Sequence, residues 1–337
     1  MKTVALIKGD GTGPELVEAM LLVLEASGAK AEFVTCDAGA EWWEKRGGPS
    51  MIPEETWRTL EDADCCFKGP TTTLTAPGTP RSVAVSIRQK FDLYANVRPI
   101  KTFPNHVGPL GVVDFLMVRE GTEGLYSGIE YKLSDDAAIA IRLITRTKST
   151  KVTRFALEEA RKRHWKKVVV ICKANILKLT DGLFLDAARQ NAKEYPGIEL
   201  EELFIDNFSQ QLVKNPQRFD RNVIVGTNLF MDILSEEASG LVGSIGMIYS
   251  ANFGDRYAMF EPAHGSTPKY AGKDKVNPTA TILSAAWMLD YIGEGRAGKA
   301  IFDATMKVVS SKKVATYDLG GKSGTRAMAK AVAKLVR

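Results

Sequence analysis

Short apolar runs rich in β-branched residues alternate with longer amphipathic stretches along this chain, and this alternation restricts the possible fold more than any other feature. Residues 3–7 are typical of a buried strand, and residues 14–27 of a helix with Pro14 in its first turn. Further strands are predicted at 65–68, 111–118, 168–172 and 223–225, and further helices at 55–60 and 83–91. The alternation predicts an α/β fold with a largely parallel sheet covered by helices.

A chain of 337 residues exceeds the size of one typical domain, so we expect two. The sequence contains no internal repeats, low-complexity tracts or long linkers, which indicates domains that share a sheet rather than separate units. Residues 126–147 are rich in β-forming residues such as Ile139 and Ile141. They predict a projecting hairpin or arm of the kind that contacts a second subunit.

Composition and charge exclude several classes of protein. With 45% hydrophobic and 25% charged residues, the chain is typical of globular enzymes. The net charge of +5 is spread out, and its densest basic run, residues 161–167, ends a predicted helix, where cations complement the helix dipole. No nucleic-acid-binding motif accompanies this run, so we expect no nucleic-acid partner.

The cysteines and the N-terminal sequence favour a cytoplasmic protein. Cys36, Cys65, Cys66 and Cys172 lie in strand-like surroundings and form no CxxC pair, which predicts buried, reduced thiols. The first apolar run is too short for a signal peptide, and no stretch approaches the length of a membrane span. We therefore expect a soluble, cytoplasmic enzyme with no membrane partner.

Three carboxylates have the spacing and chemistry of a metal site. Asp232 and Glu236 are four residues apart in a predicted helix, so their side chains project from one face. Asp206 is a candidate third ligand, and such hard oxygen donors suit Mg²⁺ or Mn²⁺. A solvated helix face is the alternative interpretation, which the neighbouring Glu237 favours.

Three arginines lie far upstream in apolar or strand-like sequence, namely Arg88, Arg98 and Arg119. An unpaired charge is costly in such surroundings. Guanidinium groups match carboxylates in geometry and charge. Together with the three acidic residues, they predict a site for a small, multiply negative acid that chelates a metal.

Two further segments bear on nucleotide binding. Gly9, Gly11 and Gly13 follow the first strand, but their spacing differs from the dinucleotide fingerprint, so a tight strand-to-helix turn is the favoured interpretation. Residues 251–278 are loop-like and rich in Gly and Pro, and long irregular loops in compact enzymes are often functional. In that loop His264 could contact a nucleotide and Lys269 with Tyr270 a phosphate, although each alone would suit a surface position.

Five blocks of sequence carry a family resemblance. They are Tyr-Ala-Asn-Val-Arg-Pro at 94–99, Val-Arg-Glu-Gly-Thr-Glu-Gly-Leu-Tyr-Ser-Gly-Ile-Glu at 118–130, Lys-Ala-Asn at 173–175, Asn228…Asp232…Ser235-Glu236, and Glu-Pro-Ala-His-Gly at 261–265. In these blocks the chain resembles the β-decarboxylating dehydrogenases, which include isocitrate, homoisocitrate and 3-isopropylmalate dehydrogenases. The resemblance extends from Gly9 to Tyr317.

The resemblance implies an isocitrate/isopropylmalate dehydrogenase-like fold, which is not a Rossmann fold. Residues 1–94 and 244–337 would form a discontinuous large domain that binds the cofactor. Residues 95–243 would form a small domain with the dimer interface and the arm at about 126–147. A homodimer with shared active sites is therefore expected.

The resemblance also implies roles for the charged residues. The substrate carboxylates would be held by Arg88, Arg98 and Arg119. The divalent metal would be held by Asp206, Asp232 and Glu236. Glu236 stands where the family usually has aspartate, so direct and water-mediated ligation both stay open. Asp206 and Lys173 would reach in from the partner subunit as the base, and Tyr126 would reprotonate the product.

Substrate and cofactor choice would depend on two short segments. Ser82 offers a hydroxyl to a carboxylate, as in isocitrate enzymes, and it also suits a helix N-cap. Ala84 stands where asparagine is common in those enzymes and leaves room for a longer acid. Lys269 and Tyr270 would attract the 2′-phosphate of NADP, with Tyr317 as a further contact. The remaining cofactor contacts would be Thr72, His264, Gly265 and Asn277.

These features predict metal-dependent oxidative decarboxylation of isocitrate with reduction of NADP. NAD use stays open, because an arginine expected after Tyr317 is missing and Lys322 or Arg326 would have to replace it. Homoisocitrate and 3-isopropylmalate are the alternative substrates. A non-catalytic regulatory subunit is the alternative class, and the presence of Tyr126 and Lys173 argues against it.

Overall fold

The chain folds into the predicted α/β structure. The structure, a computed structural model, describes residues 1–106 and 108–336. Its strands are Lys2–Ile7 (β1), Ala31–Cys36 (β2), Cys65–Lys68 (β3), Ala95–Lys101 (β4), Asp114–Glu120 (β5), Glu130–Lys132 (β6), Ala138–Ala140 (β7), Lys167–Cys172 (β8), Glu199–Phe204 (β9), Asn222–Gly226 (β10), Tyr249–Phe253 (β11) and Ala258–Pro262 (β12). Its α-helices are Gly13–Ser27 (α1), Ala40–Arg46 (α2), Glu54–Asp62 (α3), Val83–Lys90 (α4), Arg146–Lys162 (α5), Thr180–Ala192 (α6), Ile205–Lys214 (α7), Asn228–Leu241 (α8), Thr279–Tyr291 (α9), Gly295–Ser311 (α10) and Thr325–Val336 (α11).

Within the described residues, one ten-stranded sheet runs through the molecule in the order β2-β1-β3-β12-β11-β4-β5-β10-β8-β9. Pairing is parallel from β2 to β12 and again from β5 to β9. Between these blocks, β11 and β4 pair antiparallel with each other and with their outer neighbours. The predicted division into domains of 1–94 with 244–337 and of 95–243 stays a prediction, and its residues 107 and 337 lie outside the described part of the chain.

One predicted strand is displaced. The strand predicted at 111–118 is β5, which begins at Asp114 and ends at Glu120, because its pairing with β4 runs from Asp114 opposite Lys101 to Glu120 opposite Ala95. Arg119 and Glu120 resemble the polar end of a strand in sequence, yet they are 3% and 1% exposed. Buried charges at the end of a core strand require polar partners nearby.

The cysteines are free thiols, and three of the four are buried as predicted, whereas Cys36 is only partly buried. Cys65 and Cys66 are successive residues of β3 and therefore project to opposite faces of the sheet, where each joins a different apolar cluster. Burial raises the pKa of Cys36 to about 11 and that of Cys65 to about 12. Both thiols therefore stay protonated at neutral pH.

The turn between β1 and α1 is tight, as predicted. Gly9 has a φ of 80°, and a Cβ at this residue would lie 2.0 Å from the carbonyl oxygen of Pro70. Asp10 is almost fully buried. Its carboxylate accepts hydrogen bonds from three backbone N–H groups, those of Ala40, Glu41 and Thr72. The turn thereby fixes the first residues of α2 and the segment that follows β3.

A small hairpin lies within the segment predicted to form an arm. Strands β6 and β7 pair antiparallel with each other, and each of their residues is exposed. Large apolar side chains are exposed on and beside the hairpin, namely Tyr131, Leu133, Ile139 and Ile141. Among the described residues, no helix is both long and apolar enough to cross a membrane.

Candidate active site

A cavity of about 170 Å³ is lined by residues of α4, β4, β5, α8 and β12 and by the loops after β3 and β12. It is smaller than the roughly 300–1,000 Å³ of sites for drug-sized ligands, which suits a small acid. The cavity brings together several residues predicted from the sequence, namely Ser82, Arg88, Arg98, Arg119, Tyr126, Asp232, His264 and Gly265.

Arg88 belongs to a buried network of charges. Its Nε donates a hydrogen bond to Oδ1 of Asn252 at 2.8 Å, and its Nη2 donates to Oε1 of Glu261 at 2.8 Å. The other carboxylate oxygen of Glu261 lies 2.9 Å from Nζ of Lys68. Burial alone would raise the pKa of Glu261, but Lys68 and Arg88 hold it below its usual value. Glu261 is therefore an ionised carboxylate between two buried cations.

Arg98 is held by polar side chains on either side. Its Nε donates to Oδ1 of Asn96 at 3.2 Å, and its Nη1 donates to Oγ of Ser235 at 2.8 Å and to Oε1 of Glu236 at 3.0 Å. The Arg98 side chain is 7% exposed, whereas that of Glu236 is 52% exposed. Glu236 therefore covers the guanidinium from the solvent side.

Two guanidinium nitrogens remain available to a ligand. Among the described residues, Nη1 of Arg88 and Nη2 of Arg98 have no hydrogen-bond partner, although the latter lies 3.9 Å from a carboxylate oxygen of Asp232. Both side chains line the cavity. They can therefore donate hydrogen bonds to carboxylate oxygens of a bound acid without losing those that hold them.

Arg119 pairs with Asp232, and both side chains line the cavity. Its Nε and Nη2 both donate to Oδ1 of Asn228, at 2.9 and 2.6 Å, and its Nη1 pairs with Asp232. Tyr126 donates its hydroxyl hydrogen to the other oxygen of Asp232, and its ring centroid lies 4.8 Å from the guanidinium carbon of Arg119. Asp232 is thus surrounded by hydrogen-bond donors, as an ionised carboxylate requires.

The protonation states follow from burial and charge. Burial lowers the pKa of Arg119 to about 10, which leaves it charged at neutral pH. Burial would raise the pKa of Asp232, but the neighbouring arginines, Arg119 above all, and the Tyr126 hydroxyl hold it below its usual value. Burial raises the pKa of Tyr126. Tyr126 therefore keeps its proton beside an ionised Asp232.

Ser82 and His264 present polar atoms to the same cavity. Ser82 is the N-cap of α4, as predicted, because its oxygen accepts a hydrogen bond from the Val85 N–H at 3.4 Å. The hydroxyl hydrogen stays available to a second partner. Burial lowers the pKa of His264, and its buried Nε2 has no hydrogen-bond partner among the described residues. A neutral imidazole in this position is suited to bind a polar group of a ligand.

Lys173 and Asp206 lie outside the cavity of their own chain. Nζ of Lys173 is 2.7 Å from Oδ2 of Asp206, and the two side chains are 25% and 66% exposed. Lys173 follows β8 and Asp206 lies in the first turn of α7, beside exposed apolar residues that include Ile176, Leu179 and Phe204. A single chain therefore does not place this pair with Tyr126 and Asp232.

The cofactor residues predicted at the end of the chain form a cluster of aromatic rings and cations. The rings of Tyr270 and Tyr317 have centroids 5.4 Å apart, and Nζ of Lys269 lies 5.1 Å from the Tyr270 centroid. Lys275 lies 5.6 Å from the Tyr270 centroid and 5.9 Å from that of Tyr317. Lys275 is therefore a further cation of this cluster, in addition to the Lys322 and Arg326 considered from the sequence.

Two other predicted cofactor residues are engaged by the protein itself. The Thr72 hydroxyl lies 2.6 Å from Oγ of Ser266. Asn277 is buried, donates to Oδ2 of Asp318 at 2.9 Å and accepts from the Thr279 N–H at 3.0 Å. Their side chains therefore position the loops around the cavity.

The donor set fits a divalent metal only in part. Asp232 and Glu236 provide hard oxygen ligands of the kind that Mg²⁺ and Mn²⁺ prefer. Within the described residues of one chain, no three His, Cys, Asp or Glu side chains lie close enough together to hold a metal ion. The third predicted ligand, Asp206, is paired with Lys173 instead. Among the described residues of one chain, Asp232 and Glu236 are thus the only two of the three predicted ligands that lie near each other on one helix.

The residues that hold the arginines in place were not predicted. Asn252, and Lys68 that pairs with Glu261, were missed altogether, whereas Asn96, Asn228, Ser235 and Glu261 were noticed only as members of sequence blocks. Lys68 and Glu261 each lie in a strand that is buried throughout. A charge in such a strand needs a partner, and that signal could have identified the pair.

Comparison with known proteins places the chain in one family. A family model described as isocitrate/isopropylmalate dehydrogenase matches residues 3–332. The chain belongs to this family. Its members are oxidatively decarboxylating dehydrogenases that use NAD or NADP and a divalent metal, act on small tricarboxylic or hydroxy acids, and are typically dimeric.

Individual relatives differ in their substrates. The chain is 43% identical over 341 residues to the 3-isopropylmalate/3-methylmalate dehydrogenase of Methanocaldococcus jannaschii. This match covers 100% of the chain and 99% of the relative. The chain is 44% identical over 336 residues to the isocitrate/homoisocitrate dehydrogenase of Thermus thermophilus, with 99% and 98% coverage. Isocitrate dehydrogenase from Methylococcus capsulatus has the same fold, with a TM-score of 0.95, 44% identity and full coverage of both chains. Relatives with different substrates have similar sequence identities to this chain. The comparisons therefore establish the reaction class but not which acid is the substrate.

Proposed function

We propose that this chain is a homodimeric, Mg²⁺- or Mn²⁺-dependent isocitrate dehydrogenase that uses NADP. The observation that carries the proposal is the cavity, in which three buried guanidinium groups surround Asp232 and Tyr126 and the Ser82 hydroxyl lines the same space. Such a cavity suits an acid with several carboxylates. We also propose that the enzyme is cytoplasmic and that it consists of the two predicted domains.

Isocitrate suits this lining better than an acid with a branched aliphatic group. The available nitrogens of Arg88 and Arg98 would bind two carboxylates. Ser82 would donate its hydroxyl hydrogen to the third while its oxygen still caps α4. Ala84, which lies beside Ser82 in the lining, offers little apolar surface for an isopropyl group.

The proposed chemistry divides proton transfers between two sets of residues. Arg119 and Arg98 would orient the substrate, and the Lys173–Asp206 pair of a second copy would accept the hydroxyl proton. When bound, the dinucleotide accepts the hydride, and a divalent metal held by Asp232, Glu236 and Asp206 of the second copy lowers the pKa of the substrate hydroxyl and stabilises negative charge.

Tyr126 would supply the proton that the product needs after CO₂ leaves. Burial raises the pKa of this hydroxyl, so the group is protonated when the reaction begins. Its hydrogen bond to Asp232 fixes the direction in which the hydroxyl points. A protonated hydroxyl held at the wall of the cavity would be suited to act as the general acid in this step.

A homodimer would complete each site. One chain offers only part of a metal site, and its Lys173–Asp206 pair lies on the surface among exposed apolar residues. If a second copy packs there, its pair can enter the cavity of the first copy, and the exposed hairpin of β6 and β7 is a further candidate contact.

NADP is favoured over NAD by the charge near the predicted ribose position. Lys269 and Lys275 both lie over the ring of Tyr270, and Lys275 also lies over Tyr317. Two cations beside two phenol groups would attract a 2′-phosphate, whereas an acidic residue would repel it. Lys269→Asp should therefore lower kcat/KM for NADP⁺ roughly tenfold or more relative to NAD⁺. An equal loss with both dinucleotides would refute the role of Lys269.

Homoisocitrate is the second candidate substrate. The small side chain of Ala84 leaves space in the cavity for an acid with one more methylene group. The deciding experiment measures initial rates with isocitrate, homoisocitrate and 3-isopropylmalate, each with NADP⁺ and NAD⁺ and with and without Mg²⁺. The proposal expects the highest kcat/KM for isocitrate with NADP⁺ and no turnover without the metal. A preference for either other acid would overturn the choice of isocitrate and retain the reaction class.

A further inference from the structure

A buried ion pair joins Asp181 to Arg142, outside the cavity. Oδ1 of Asp181 lies 2.6 Å from Nη1 of Arg142, and the Asp181 side chain is 0% exposed. A fully buried carboxylate is rare unless its partners are fixed. Asp181 lies in the first turn of α6, and Arg142 lies between β7 and α5.

The other oxygen of Asp181 fixes the backbone of Lys173. The Lys173 N–H donates a hydrogen bond to Oδ2 of Asp181 at 2.5 Å. This N–H belongs to the first residue after β8, where the chain leaves the sheet. The direction in which the Lys173 side chain leaves the backbone, towards Asp206, is therefore set at its base by Asp181.

Arg142 extends the same network to two other functional segments. It follows the second strand of the exposed hairpin by two residues, since β7 ends at Ala140. Its Nη2 donates to Oγ1 of Thr227 at 2.8 Å, and its guanidinium carbon lies 4.9 Å from the ring centroid of Phe230. Thr227 directly precedes Asn228, the residue that holds Arg119.

We propose that Asp181 and Arg142 are positioning residues that fix Lys173 relative to the hairpin and to the start of α8. The inference rests on the proposed function of Lys173 as a group that serves the cavity of a second copy. One buried ion pair would then connect the segment that a subunit gives to its partner with the segment that holds its own Arg119. Neither residue lines the cavity.

Replacement of Asp181 by asparagine tests this role. An asparagine has one acceptor oxygen, so its NH₂ group must face either the Lys173 N–H or the Arg142 guanidinium. Asp181→Asn should lower kcat roughly 10- to 100-fold, while the Kd for NADP⁺ changes by less than about twofold. The matched control is Asp186→Asn, which lies in the same helix α6 but removes an exposed pair with Arg146 and should leave kcat unchanged.

Mixed dimers separate positioning from general damage. Two variants carrying different tags are co-expressed, and heterodimers are purified on both tags. Arg119→Ala inactivates a subunit's own cavity but leaves its Lys173 intact. Lys173→Met leaves the subunit's own cavity intact but removes the lysine that it would give to its partner. A heterodimer of these two should regain one working site. If Asp181 acts through Lys173, Asp181→Asn should regain activity with Arg119→Ala and none with Lys173→Met.

The outcomes distinguish this inference from the proposed function. No recovery when Lys173→Met is combined with Arg119→Ala would refute shared sites. Recovery in that pair, together with recovery of Asp181→Asn by Lys173→Met or failure of its recovery by Arg119→Ala, would refute the positioning role alone. If Asp181→Asn does not assemble, Asp181→Glu serves in the same combinations, because it keeps the charge beside Arg142 while one more methylene group displaces the carboxylate from the Lys173 N–H.

Discussion

The arginine cluster and the Lys173–Asp206 pair are both charged, but they are built in opposite ways. In the cluster of Arg88, Arg98 and Arg119, buried guanidinium groups meet the buried Glu261, buried amides, and the partly exposed Asp232 and Glu236 of the same chain. The pair is a single contact whose carboxylate is two-thirds exposed. A buried network must be complete in one chain for that chain to fold. An exposed ion pair adds little stability, which agrees with the proposal that Lys173 and Asp206 serve the cavity of a second copy.

The largest expected effect is a loss of stability on substitution of Glu261, the buried carboxylate of the arginine cluster. Glu261→Gln would leave Lys68 and Arg88 buried without their shared carboxylate. We expect the free energy of unfolding to fall by about 3–5 kcal/mol, measured by urea denaturation. The matched control is Glu199→Gln, which removes a mostly exposed partner of Lys167 and should cost less than about 1 kcal/mol. Similar losses in both variants would contradict the difference between the two regions.

Arg119→Lys should have the next largest effect. Lysine keeps the charge near Asp232 but loses the two-pronged contact with Asn228. We expect kcat/KM for the acid to fall roughly 10- to 100-fold, as loss of a charged hydrogen bond implies. Arg154→Lys, at an exposed pair with Glu194, is the control and should keep wild-type kinetics. Wild-type kinetics in Arg119→Lys would show that the Arg119 guanidinium does not contribute to the proposed site.

The acid sensitivity of the fold should also come from the cluster. The pKa of Glu261 is lower in the folded chain than its ordinary value of 4.5, so the unfolded chain binds more protons in acid. Its contribution to stability is therefore complete above about pH 4.5 and is lost as the pH falls further, by about 1.4 kcal/mol for each unit of pKa difference. Urea denaturation between pH 3 and pH 6 should show a steeper loss in the wild type than in Glu261→Gln. Parallel curves would assign acid sensitivity to other groups.

The smallest effect on folding is expected at the exposed pair. Asp206→Asn should leave the urea midpoint of folding unchanged, because the carboxylate is exposed and its partner Lys173 can be solvated. Turnover should nevertheless be lost, and binding of Mn²⁺, measured by titration calorimetry, should weaken. A variant that unfolds earlier but still turns over would reverse the comparison.

The fold was predictable because its core strands are nearly continuous apolar runs. Residues 168–172 are an example, because a run of three valines, an isoleucine and a cysteine is rich in β-branched residues and too short for a helix. The bounds of β5 were misplaced because this strand is not a continuous apolar run. Its last residues are charged, and only their partners across the sheet show that Arg119 and Glu120 belong to the core.

The site was predictable in its charges but not in the residues that hold them. Arg88, Arg98 and Arg119 were noticeable as charges in apolar sequence. Asn96 and Asn252 were not, because their hydrogen bond depends on the register of β11 against β4, which joins residues 156 positions apart. Cross-strand register over such a distance is set by tertiary packing, which no local pattern records.

The hairpin of β6 and β7 has a consequence for how this protein behaves at different concentrations. An isolated two-stranded sheet is only marginally stable in water, and each residue of these two strands is exposed, including the apolar Tyr131 and Ile139. If a second copy covers it, order in the hairpin and assembly become one equilibrium. Dilution would then act on this protein as a mild denaturant does, and activity per molecule would rise with the amount of protein present.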